Sequence, residues 1–183
     1  QVPPAMLVYL RVNSVFPTAS ISFTGHSMGG GLASMMAVFF DRPAQVFDAA
    51  PFEQGARDWL GTYAVAIAAV GYTDPAFDNY RANVDAIFSA RESRVENRFV
   101  AGEFVDTVRY PFTEIGTSYP EISVGTPTDV SASKELHSMT VLASMLTSTS
   151  FAAAVLARPA LLHMLFDPAL YHHEETHPSR DLL

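Results

Sequence analysis

The sequence predicts an α/β fold, a mostly parallel sheet flanked by helices, and three observations carry that reading. The chain of 183 residues is 49% hydrophobic and only 16% charged, enough for one domain with a real core and too apolar for a disordered segment. Between residues 19 and 49 a β-like hexad, a run of small and apolar residues and a second β-like run follow one another, as in a parallel βαβ unit. Helical and strand-like stretches go on alternating beyond it.

Taken in order, residues 5–12 (AMLVYLRV) fit a helix or a strand, and periodicity does not decide between them. Pro17 interrupts, and residues 19–24 (ASISFT) read as a short buried strand bounded by Gly25. Residues 28–40 (MGGGLASMMAVFF) read as a buried helix, stopped by Asp41-Arg42-Pro43. Residues 44–49 (AQVFDA) form a second strand, ended by Pro51. Two helical stretches follow, 57–70 and 75–91, separated by Gly71-Tyr72-Thr73-Asp74, and residues 95–101 (VENRFVA) are a third strand. The segment 113–133 is rich in turn residues, with Glu121-Ile122-Ser123-Val124 alternating inside it. His137 opens an apolar helix and Phe151 another. The run 139–166 is broken by Ser144, residues 147–150 and Arg158-Pro159. It falls short of the roughly 18 uninterrupted apolar residues of a membrane span, so a buried helical pair is expected. With no repeats and no long linker, residues 1–183 read as a single domain.

A net charge of −8 and a pI near 5.1 exclude nucleic acid as a partner but leave a neutral ester or amide welcome. The absence of cysteine excludes disulfides, thiolate metal sites and a cysteine nucleophile. No charged segment followed by an apolar one opens the chain, which begins at Gln1, and it reads as a fragment or a processed product.

Chemistry concentrates at Gly25-His26-Ser27-Met28-Gly29, a G-x-S-x-G nucleophile elbow between a β-like hexad and an apolar helix. A strand that turns sharply into a helix projects the serine hydroxyl from the end of a sheet. Glycine on both sides is expected to avoid clashes with the neighbouring strand and helix. The helix start adds positive potential, and the Met28 N–H is placed to donate to an oxyanion. Ser27 needs a base, and the base needs an orienting acid. His26, next to the nucleophile, is poorly placed as a base and is expected to pack or hydrogen-bond beside the elbow. His137, after the turn-rich segment and at a helix start, is the candidate base. His163 reads as a core residue, and His172, His173 and His177 as a solvated tail, so no metal site is expected. The acid is Glu103 or Asp106. Glu103 is slightly favoured because it directly follows the third strand and its glycine.

The segment 21–34 (ISFTGHSMGGGLAS) resembles the nucleophile region of the class 3 (fungal-type) lipases and their bacterial relatives, within the α/β-hydrolase superfamily. The similarity continues at residues 46–51 (VFDAAP), at residues 100–105 (VAGEFV), which resemble the family's acid segment, and at His137. It extends over about residues 19 to 140. The resemblance implies an α/β-hydrolase-type sheet of which this chain is the C-terminal part, with Ser27 as nucleophile and His137 as base. It puts the acid at Glu103 by one alignment and at Asp106 by another. Two departures stand out: the family's acid is normally aspartate, and the separation from Ser27 is long. The second fits residues 57–91 as a helical cap insertion. Strands that precede the nucleophile in this fold, and the loop carrying the second oxyanion donor, would come from an upstream segment of the same protein.

The expected activity is hydrolysis of a small or lipid carboxylic ester through an acyl-enzyme, without a cofactor, with transient contact to a membrane or lipid surface. A thioesterase, amidase or peptidase using the same triad is the catalytic alternative, and a non-catalytic binding domain is the other. Localisation stays open, export being common among lipases of this sort.

Overall fold

The structure is a computed structural model that describes residues 1–75, 80–103, 105, 113–123, 136–158 and 160–161. The first helix, α1 (Val2–Val15), occupies the segment that periodicity left open. Tertiary packing decides it. Met6 and Tyr9, three residues apart and so on one helical face, are both buried, and the Tyr9 ring stacks on Phe40 with centroids 3.9 Å apart.

Strand β1 (Phe23–His26) leads into helix α2 (Met28–Phe40), then strand β2 (Ala44–Phe47). Helices α3 (Glu53–Ala68) and α4 (Tyr80–Arg91) follow, then strands β3 (Val95–Ala101) and β4 (Thr117–Ser123). The sheet order is β1-β2-β3-β4, with β1–β2 and β2–β3 parallel. The expected strand at 19–24 is corrected here in both bounds and burial. The ladder with β2, from Phe23 opposite Ala44 to His26 opposite Phe47, sets its ends, and as an edge strand it is only half-buried. Within the turn-rich segment 113–133, residues 117–123 form β4, which takes in the first three residues of the alternating run 121–124, and residues 124–133 lie outside the described residues. Pro120 obscured this strand, and a proline is tolerated because β4 is the other edge of the sheet.

Helices α5 (Met139–Thr147) and α6 (Thr149–Ala157) complete the described chain, joined at Ser148 with a bend of 116°. Ser148 caps α6 by accepting from the Phe151 N–H at 3.2 Å. The buried helical pair expected here is half right. Val141, Leu142 and Met145 of α5 are buried, whereas α6 buries only Val155. Among the described residues no single helix is long and apolar enough to cross a membrane.

The chain groups into two compact units, Gln1–Phe99 with Val105–Pro120 and Val100–Phe104 with Glu121–Leu183. The core of the first is built on α2. Val38, Phe39 and Phe40 are buried with Val46 of β2, Val95 of β3, Leu60 of α3 and Phe88 of α4. Each such side chain contributes about 1.5–3 kcal/mol by leaving water. Alternate strand positions, Thr24, Gln45 and Glu96, face away and are exposed.

The last carbonyls of α2 have no intrahelical partner. Arg91 from α4 supplies one: its Nη1 donates to Val38 O at 3.0 Å and Phe39 O at 3.2 Å, and its Nη2 to Asp74 Oδ2 at 2.8 Å. Arg57 ties α3 to α4, bonded to Glu53 and Asp85 and lying 4.3 Å from the centre of the Phe88 ring. Because Arg91 is itself buried, Arg91→Met is expected to lower stability by about 2–4 kcal/mol, read as a lower urea midpoint with an unchanged slope.

Candidate active site

Ser27 stands between β1 and α2 as the N-cap of the helix, with φ 55° and ψ −125°. This is left-handed, strained backbone for a residue with a Cβ, costing about 1–3 kcal/mol, and strain of this kind persists only where the surroundings impose it. Two backbone hydrogen bonds do so. The Ser27 N–H donates to Phe47 O at 3.0 Å, and Ser27 O accepts from the Ala50 N–H at 2.9 Å. Met28 is the first residue of α2, so its N–H is one of the first-turn amides that helix geometry leaves without a carbonyl.

Glycine matters around this turn, though not everywhere the motif suggested. A Cβ on Gly25 would lie 2.8 Å from Gly30 N and closer still to the Gly29 carbonyl. At Gly29 it would meet no described atom within 4 Å, which corrects the expected clash there. The close approach falls on Gly31 instead, where a Cβ would lie 2.7 Å from Ala50 O and 2.8 Å from the Phe52 ring. Helix α2 therefore packs on the turn after β2 through Gly30 and Gly31, not through Gly29.

In the second unit, the Glu103 N–H donates to Val100 O at 3.1 Å, closing a tight turn just beyond β3. The Glu103 side chain is fully buried and its Oε2 lies 2.7 Å from His137 Nδ1. His137 sits in the turn before α5, with buried Leu136 beside it and the Ser138 carbonyl taking the Leu142 N–H at 3.0 Å. A carboxylate at Nδ1 holds the imidazole in one orientation and favours the tautomer that carries its proton on Nδ1. Of the sequence candidates, Glu103 and His137 are thus brought together, and Ser27, His26 and Met28 share the elbow. Asp106, His163, His172, His173 and His177 lie outside the described residues.

The family model of the Tle-like phospholipase domain, a phospholipase-like group, matches residues 10–141, well over half of the chain. The chain belongs to that family. The match takes in the elbow, Glu103 and His137. The Tle-like domain is also similar over short stretches to two proteins with lipase names. "Putative lipase atg15" of Penicillium rubens is 38% identical over 47 residues, 26% of this chain and 7% of that protein. "Putative lipase ATG15" of Eremothecium gossypii is 50% identical over 42 residues, 23% of this chain and 8% of that protein. The matched stretches span less than a tenth of either relative. No solved structure matches the chain.

Sequence reasoning missed two residues that the Tle-like domain buries completely next to the elbow, Asp48 and Asn97. Asn97 Oδ1 accepts from the Ala49 N–H at 3.2 Å, and its Nδ2 donates to Glu114 Oε2 at 2.6 Å, while the Ser118 hydroxyl also bonds that carboxylate. The signal for Asn97 was a polar residue on the same strand face as buried Val95, where alternation calls for an apolar one. Asp48 closed an apolar strand in the same way.

The glycine geometry predicts opposite responses within one helix. Gly29→Ala is expected to raise stability by up to about 1 kcal/mol through helix propensity, and Gly31→Ala to lower it by about 1–3 kcal/mol through overpacking against Ala50 and Phe52. Urea denaturation of the two variants measures both.

Proposed function

We propose that this Tle-like domain is a serine hydrolase that cleaves the carboxylic ester of a lipid, with Ser27 as nucleophile, His137 as general base and Glu103 as the orienting acid. The observation that supports this most is the buried Glu103 carboxylate 2.7 Å from His137 Nδ1, the pairing a catalytic imidazole requires. The strained turn at Ser27 is the second support. The phospholipase-like family and the lipase names of the partial relatives favour a lipid ester over a thioester or an amide. Within that range, the segment 21–34 argues for kinship with the class 3 lipases.

In this mechanism Ser27 Oγ forms a bond to the ester carbonyl as its proton passes to His137 Nε2. The negative charge that develops on the carbonyl oxygen is met by the Met28 N–H at the start of α2. The ester C–O bond then breaks, and the departing alcohol takes the proton from His137. Water attacks the acyl-serine and gives a proton to His137, which passes it to the departing Ser27 Oγ as the carboxylic acid is released. Glu103 holds the ring and stabilises the imidazolium of both half-reactions. Exposed Trp59 and Val65 on α3 are the apolar surface that a cap formed by residues 57–91 would turn toward a lipid.

The test is turnover of p-nitrophenyl butyrate, p-nitrophenyl octanoate and a short-chain phosphatidylcholine. Ser27→Ala and His137→Ala are each expected to lower kcat on the order of 10⁶-fold, and Glu103→Gln on the order of 10⁴-fold. Undiminished turnover by Ser27→Ala would refute the assignment. Undiminished turnover by Glu103→Gln alone would transfer the acid's role to Asp106.

A further inference from the structure

Asp48 is a fully buried carboxylate that the proposed triad of Ser27, His137 and Glu103 does not include. It follows β2 directly, with φ 43°, a left-handed conformation that aspartate tolerates better than most residues. Its Oδ2 lies 3.7 Å from Nε2 of His26, a half-buried imidazole whose own chain neighbour is Ser27. Placing a carboxylate out of reach of water costs several kcal/mol unless charge or hydrogen bonds offset it.

Asp48 begins the turn whose amides are taken one after another: Asp48 N–H by Arg98 O at 2.9 Å, Ala49 N–H by Asn97 Oδ1 at 3.2 Å, and Ala50 N–H by Ser27 O at 2.9 Å. The residue before it, Phe47, accepts from the Ser27 N–H at 3.0 Å. Ser27 is therefore gripped on both sides by one turn, and the Asp48 carboxylate in that turn lies 3.7 Å from the His26 ring of β1.

We propose that Asp48 is a positioning residue for the nucleophile, acting through His26 and the 47–50 turn to hold Ser27 in its strained conformation. This rests on Ser27 being the nucleophile. The pair works as a strut: His26 is fixed against the start of the turn, the turn fixes both backbone groups of Ser27, and the hydroxyl keeps one direction. Misplacement of a reacting group by about 1 Å can lower a rate by two orders of magnitude, so a strut of this kind acts on the rate of acylation and not on substrate affinity.

Asp48→Asn removes the charge while keeping the shape and the tolerance for a left-handed backbone, and His26→Gln removes the partner from the more accessible side. Single-turnover acylation by p-nitrophenyl butyrate and native-state amide hydrogen exchange at Ser27 and Ala50 are the two readouts, with thermal denaturation to confirm folding. Asp48→Asn is expected to slow acylation roughly 10- to 100-fold with KM unchanged, and to speed exchange at both amides. His26→Gln is expected to do the same, and the double variant to be no slower than the worse single one. Wild-type acylation and exchange in folded Asp48→Asn would overturn the proposal, as would a lowered melting temperature with neither readout changed. Should Asp48→Asn fail to fold, His26→Gln decides by the same criteria. If the wild-type protein itself does not acylate, the hydrolase reading fails, while exchange at Ser27 and Ala50 still decides whether the pair holds the elbow.

Discussion

The grip of the 47–50 turn on Ser27 is the constraint on which the rest of the first unit depends. A serine at φ 55° does not stay there on its own preference. It is held because its N–H and its carbonyl are both committed, to Phe47 and to Ala50. Those bonds exist only if β1 and β2 keep parallel register and α2 lies close on the turn, which Gly25 and Gly31 permit by having no side chain. The burial of Val38, Phe39 and Phe40 supplies the free energy that presses α2 down. Core packing, sheet register and the geometry of one residue are thus parts of the same balance.

The second unit solves a different problem. A carboxylate with no access to water has to be matched, and Glu103 is matched by the His137 ring at 2.7 Å. Such a pair is costly as mere structure, since a well-packed apolar pair of similar volume is often no less stable. What the pair does is fix the orientation of an imidazole that is still partly open to solvent.

Much of this was legible in the sequence where short-range rules dominate. The bounds of α2 and β3 match their expected ranges residue for residue, because a compact apolar run ended by Asp41-Arg42-Pro43 and a seven-residue alternating run leave little freedom. The strand-turn-helix around Ser27 was readable because its signals are local: strand, glycine, serine, helix. What escaped depended on distant partners. Helix α1 is decided by Tyr9 reaching Phe40, and the ends of β1 by its ladder with β2. The β4 strand was hidden by Pro120, whose acceptability depends on its lying at a sheet edge. Asp48 and Asn97 looked like ordinary polar residues, since nothing in their neighbours tells that His26 and Glu114 will be beside them. The clash assigned to Gly29 went to Gly31 because helix phase, which the motif does not encode, decides which glycine faces the turn.

Whether Ser27 is an activated nucleophile is measured most plainly by where a covalent probe attaches. The folded protein would be treated with a fluorophosphonate, digested, and its peptides sequenced by mass spectrometry. A single phosphonylated site at Ser27 is expected, formed faster than on any other serine and abolished by prior heat denaturation. A folded protein that carries no adduct, or carries it on another residue, would contradict it.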